Sequence, residues 1–214
     1  MKLTIEQALQ HAVVAHKEGM LQDAEHLYRT ILQSQPTHPD ANHNLGLLAL
    51  SLNKAEEALL LFETALKANP KIEQFWLSYI EALIKEKKFE NAKQLLEQAK
   101  KQNLSAENLY FMDAQINKNM GKLDEAEASY IKTLELKSDY AEAHNNLGNT
   151  IKDLGRLDEA EACYRKAIAS RIGYCEAHEN LAKILRELGR IEEAIDSERY
   201  ILFLRSTNVE ETKK

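Results

Sequence analysis

Twenty-eight Lys and Arg against 34 Asp and Glu leave this 214-residue chain with a net charge of −6 near neutral pH. With no basic run to offset that surplus, composition speaks against nucleic acid as a partner. Hydrophobic residues make up 44% and charged residues 29%, the range of a folded protein and not of a disordered one. Two cysteines, Cys163 and Cys175, supply no disulfide framework. The N-terminal stretch carries Glu6, Gln7 and Gln10 where a signal peptide needs apolar residues, and no 18-residue apolar window occurs. The expectation is therefore a cytoplasmic chain with no membrane contact.

Three prolines and seven glycines are few turn signals for this length, and Ala, Leu, Glu, Gln and Lys dominate, so the fold class is all-α. In chain order the helical stretches come in pairs with a 34-residue period. The repeats run 5–38, 39–72, 73–106, 107–140, 141–174 and 175–208, with 209–214 as a flexible tail. An alanine column, Ala24, Ala58, Ala92, Ala126, Ala160 and Ala194, fixes the register. A second small-residue column reads Ala12, Gly46, Ile80, Ala114, Gly148 and Ala182, and a turn column reads Gly19, Asn53, Lys87, Gly121, Gly155 and Gly189. The fifth repeat shows the plan. Ala143, Leu147 and Ile151 share one face of helix A over 141–154, Gly155-Arg156 turns, and Ala160, Cys163, Tyr164, Ala167 and Ile168 give helix B a buried stripe. Gly148 is expected to face Ala160 across the hairpin. The third repeat departs most: Ile80 fills the small position, Lys87-Lys88 the turn, and its hairpin is expected to open slightly.

These columns, with Pro36 and Pro70 near repeat ends and the segments DANHNLGLLAL and AEAHNNLGNTIKDLGRLDEAEACYRKAI, resemble the tetratricopeptide repeat. They are most similar to the repeat regions of bacterial O-linked N-acetylglucosamine transferase-like proteins. The resemblance spans residues 5–208 and implies an α-solenoid whose A helices line a concave groove that receives a peptide or protein segment. At repeat position 4, Asn42, His144 and His178 depart from the expected aromatic or Leu, and in the sixth repeat Glu198 replaces the aromatic of helix B.

Carried onto this sequence, the groove positions give an apolar half with Leu47, Leu50, Leu77 and Phe111, and a polar half with Asn145, Asn146, Asn149 and Asn180. Asn44, Asn146 and Asn180 share position 6, where the resemblance implies amides that grip a peptide backbone. Lys118, Lys152 and Arg186 share position 12 and make a basic line with Lys183 beside it, suited to an acidic stretch of partner. Two readings of both halves stand: an exposed binding wall, or ordinary core and a solvated, neutralised face. The carboxylate clasp of chaperone-binding relatives is not matched, since Glu176 falls where a lysine is needed.

No phosphate loop, nucleophile elbow, HExxH or paired-cysteine motif is present, so no enzyme activity and no cofactor is expected. His144 and His178 lie one repeat apart without a zinc-ligand spacing, and no metal is expected. The chain reads as a non-catalytic protein-interaction module, whether alone or as the recognition part of a longer enzyme. The alternative is self-assembly into homo-oligomers through the concave face or the apolar C-terminal edge at Ile201, Leu202, Phe203 and Leu204.

Overall fold

The computed structural model describes residues 3–211, and side chains over 3–206. Twelve helices among the described residues pair into six antiparallel hairpins, and the chain divides into two compact units, Met1–Ser105 and Ala106–Lys214. The first unit holds α1 (Ile5–Lys17), α2 (Leu21–Ser34), α3 (Pro39–Ser51), α4 (Ala55–Ala68), α5 (Glu73–Lys85) and α6 (Phe89–Ala99). The second holds α7 (Ala106–Asn119), α8 (Leu123–Leu136), α9 (Ala141–Asp153), α10 (Leu157–Ser170), α11 (Cys175–Glu187) and α12 (Ile191–Glu211). Within each unit every hairpin packs its second helix against the first helix of the next. This is the stacked-hairpin, α-solenoid class expected from the period. Helix α12 continues past residue 208, so 209–211 are helical, and 212–214 lie outside the described residues.

All six alanines of the register column are fully buried. The six turn residues share one backbone conformation, with φ of +78° at Gly19, +57° at Asn53, +56° at Lys87, +76° at Gly121, +81° at Gly155 and +77° at Gly189. At each turn the following N–H bonds a carbonyl five residues back, as from Lys88 to Leu83 at 2.8 Å and Arg156 to Ile151 at 3.1 Å, which closes the helix end. The third hairpin therefore turns like the others, with Lys87 in a left-handed conformation that costs a side-chain-bearing residue about 1–2 kcal/mol.

An aromatic on the second helix explains why the small column stays small. A β-carbon added at Gly46 would stand 2.8 Å from the Phe62 ring. One at Gly148 would stand 2.7 Å from Tyr164 Cε1 and 3.2 Å from Cys163 Cβ. The groups that crowd a side chain at Gly148 are thus Tyr164 and Cys163. Tyr28, Phe62, Tyr130 and Tyr164 are the bulky partners of Ala12, Gly46, Ala114 and Gly148. In the third repeat the sizes reverse, and Ile80 and Leu96 hold these two positions, both fully buried.

The position-4 departures do the same job as the conforming Trp76. The Asn42 amide donates to the Pro36 carbonyl at 3.0 Å, and the Trp76 indole N–H to the Pro70 carbonyl at 2.8 Å. The Nε2 of His144 bonds the Ser138 carbonyl at 2.9 Å, and that of His178 the Ile172 carbonyl at 3.1 Å. Each fastens the start of a first helix to the loop six residues upstream. A carbonyl acceptor requires the proton on Nε2 in both histidines. Their Nδ1 atoms are buried without a hydrogen-bond partner.

Candidate functional site

In the first unit the face formed by α3 and α5 carries Leu47, 38% exposed, with Leu50, Leu77, Ile84 and Asn44 half-buried. Below them His43 Nε2 hydrogen-bonds Ser78 Oγ at 3.0 Å and ties the two helices together, while Gln74 donates to the same oxygen at 3.1 Å. The His43 ring lies 4.8 Å from that of Phe75 and 5.7 Å from that of Phe62. Burial among these rings lowers its pKa, against the raising effects of Asn44 and Asp40.

In the second unit α9 and α11 carry the polar positions. Asn145 is fully buried and does not reach the surface. Its amide donates to Glu176 Oε1 at 3.0 Å, and its carbonyl oxygen accepts from the Asn180 amide at 3.0 Å. Asn146, Asn149 and Asn180 stay half-buried at the face. One phenol from a second helix reaches them: the Tyr164 hydroxyl donates to Asn149 Oδ1 at 2.8 Å. Bonding one end of the Asn149 amide fixes its orientation and leaves the other end for a ligand. Sequence reading missed this role of Tyr164. Its signal was an aromatic at a fixed position of helix B, long enough to cross the hairpin and emerge among the amides.

Phe111 also leaves the wall. Its ring is 5% exposed, stacks on Tyr140 at 4.9 Å and meets Tyr130 edge-on at 5.8 Å. An apolar ring beside two aromatics gains more from burial than from facing water, so Phe111 and Asn145 act beneath the face and not on it.

The basic line is uneven. Arg186 is committed to Glu198 on α12 through bonds of 2.8 and 2.9 Å. Lys118 is half-buried, and burial lowers its pKa, with Asp153 and Glu176 opposing and Lys152 reinforcing that shift. Lys152 is half-buried and Lys183 exposed. Among the described residues no group of three or more His, Cys, Asp or Glu is placed to hold a metal ion, and no helix is long and apolar enough to cross a membrane. Both cysteines are free thiols, Cys163 buried and Cys175 partly so.

Family models described as tetratricopeptide repeat match residues 15–76, 49–110 and 139–199, and one described as TPR repeat matches 114–155. No curated protein matches the chain in sequence. Among solved structures, a thermophilic TPR protein of Thermus thermophilus is 25% identical, with a TM-score of 0.71 over 85% of this chain and 99% of its own. A tetratricopeptide repeat protein from Parabacteroides merdae is 17% identical, with a TM-score of 0.82 over 94% of this chain and 78% of its own. The pilF protein of Pseudomonas aeruginosa is 15% identical, with a TM-score of 0.73 over 96% and 97%. At those last two identities the likeness is one of fold. The matched repeats, the shared fold and the register of buried alanines agree: the chain belongs to the tetratricopeptide-repeat family.

Proposed function

We propose that the chain is a non-catalytic module that binds an extended peptide or protein segment on the exposed faces of its first helices. The observation that carries this reading is the amide of Asn149, held by the buried Tyr164 hydroxyl and standing with the half-buried Asn146 on the same helix face. Such a pre-oriented amide lowers the ordering cost of gripping a peptide backbone. Asn180 extends the amides onto α11, and Lys152 and Lys183 favour an acidic segment by local field, against the chain's overall charge. In the first unit Leu47, Leu50 and Leu77, with Asn44, suit apolar side chains. The narrower likeness to glycosyltransferase repeat regions rests on Asn44, Asn146 and Asn180. The two unpaired thiols support the cytoplasm as its compartment.

Calorimetric titration with the strongest peptide from an unbiased display library tests the reading. Asn146→Ala and Asn180→Ala are each expected to cost about 1–3 kcal/mol of binding where a buried partner group is stranded. Lys152→Glu is expected to weaken an acidic peptide with a defect that shrinks as salt rises. If all three variants bind like the parent, the α9–α11 face is not the site. A second reading, self-assembly, is favoured by Leu202 and Phe203 on α12, 66% and 58% exposed. Light scattering across a concentration series separates it: a mass that stays monomeric removes it.

A further inference from the structure

A different face of the first unit carries a groove of about 370 Å³ between the second and third hairpins, floored by Trp76, Tyr79, Leu83 and Leu95. By helical periodicity these α5 residues point away from Leu77 and Ile84, so the groove is separate from the candidate wall. Its volume lies within the roughly 300–1,000 Å³ of ligand pockets. One side is the surface of α6, where Asn91, Gln94 and Gln98 stand on a single helix face. All three are exposed, and none makes a side-chain hydrogen bond to another described residue.

Comparison with the other repeats makes this wall unusual. The residue equivalent to Asn91 is an acid in each of the other five: Asp23, Glu57, Glu125, Glu159 and Glu193. Two of those acids bridge hairpins. Arg29 reaches Glu57 at 2.5 Å between the first and second, and Arg165 reaches Glu193 at 3.0 Å between the fifth and sixth. The latter pair spans the corresponding groove there. Between the second and third hairpins the residue in the arginine's place is Glu63, which turns to Lys67 at 2.5 Å, and its opposite number is the uncharged Asn91. The acid that meets an arginine at those two junctions is gone, and three amides line the space.

We propose that this groove is a second peptide site, taking an extended, uncharged segment whose backbone pairs with Asn91, Gln94 and Gln98 and whose apolar side chains rest on Trp76, Tyr79 and Leu83. The chemistry matches on both counts. Primary amides donate and accept at once and select no side chain. Along α6 the amides span about 10.5 Å, close to the roughly 9.3 Å turn of a polyproline II segment, whose carbonyls carry no internal hydrogen bonds. A charged ligand would face a wall with no counter-charge, since the one ion pair at the rim is already made.

Trp76 is the only tryptophan, so intrinsic fluorescence reports the floor directly. The probe is the acetylated, amidated peptide Gly-Pro-Leu-Pro-Leu-Pro-Gly, with a version carrying Glu in place of both Leu as control. The neutral peptide is expected to give a saturable change in Trp76 emission and to shift the side-chain amide resonances of Asn91, Gln94 and Gln98, and the acidic control neither. A Glu63→Arg/Asn91→Glu double variant, which recreates the bridge seen at Arg29–Glu57 and Arg165–Glu193, is expected to weaken binding at least about tenfold. Glu63→Arg alone is expected to leave it near the parent value. Asn146→Ala, on the other candidate face, is expected to leave the Trp76 titration unchanged. Absence of both fluorescence and resonance changes up to the solubility of the peptide overturns the proposal. So does equal affinity in the bridged variant, provided its circular dichroism matches the parent.

Discussion

Tyr164 does two things with one side chain. Its ring fills the space that Gly148 leaves, and its hydroxyl, 2.8 Å from Asn149 Oδ1, sets the direction of an amide on the candidate face. Tyr164→Phe should separate these roles. The ring still packs, so loss of the hydrogen bond is expected to lower stability by only about 0.5–1.5 kcal/mol, while affinity for a peptide bound through Asn149 falls several-fold. Denaturant melts and calorimetry on the same variant check both halves, and unchanged affinity would remove Asn149 from the site. Histidines make a second residue-scale prediction. Burial is the leading cause of the lowered pKa at His144 and at His43, so both sit below their ordinary 6.5 in the folded chain. The unfolded chain then binds more protons on acidification. Their contribution to stability is complete above about pH 6.5 and is lost as pH falls through that value toward the lowered folded pKa. For His144 the reason is visible: a proton on Nδ1 would have no acceptor, with Nε2 already bonded to the Ser138 carbonyl and Lys166 adding an unfavourable charge. The melting temperature is expected to drop between about pH 7.5 and 5, and His144→Asn to flatten part of that drop. Asn42 already makes the equivalent bond in the second repeat.

At the scale of the element, every first helix ends on a left-handed residue, and the third does so without glycine or asparagine. Lys87→Gly removes a side-chain penalty of about 1–2 kcal/mol and adds back about 0.5–1 kcal/mol of backbone entropy. The net expectation is a gain of about 0.5–1 kcal/mol in a denaturant melt. A loss would mean that the lysine side chain supports the turn in a way its backbone does not show. The same repeat has the shortest second helix. Helix α6 ends at Ala99, three positions earlier in the register than α2, α4, α8 and α10, and Lys100 stands where Leu32, Leu66, Leu134 and Ile168 supply apolar cover. The amide wall lies on this shortened helix.

For the whole molecule, the architecture was legible because a 34-residue period repeats the same packing problem six times, and the solution leaves small residues in columns. The alanine register and the turn positions follow from sequence for that reason. The candidate face was legible only in part. Helical periodicity places positions on a side of a helix, but it does not say which residues on that side are covered. Asn145 is covered because Glu176 of the following hairpin and Asn180 close over it. Phe111 is drawn inward because Tyr140 offers a stacking partner at 4.9 Å. Arg186 is taken by Glu198, the one charged residue in the column of Tyr28, Phe62 and their equivalents. Each of these depends on a residue at least a dozen positions away or on a loop, and a pattern read one column at a time does not contain it. Position 4 carried the opposite lesson: the departures Asn and His look unrelated to the conforming Trp76 as side chains and are the same as N–H donors.

That last feature bears on how such a chain can grow or shrink. Donor and acceptor straddle the conventional repeat boundary: Pro36 and Asn42, Pro70 and Trp76, Ser138 and His144, Ile172 and His178. A duplication or deletion cut between residues 140 and 141 would hand the histidine to one segment and its carbonyl to the other. Cuts made inside a second helix keep the two together. The heritable unit of this architecture is therefore out of phase with the hairpin seen by eye, running from the middle of one second helix to the middle of the next. Recombination respecting that frame joins repeats whose side chains already fit.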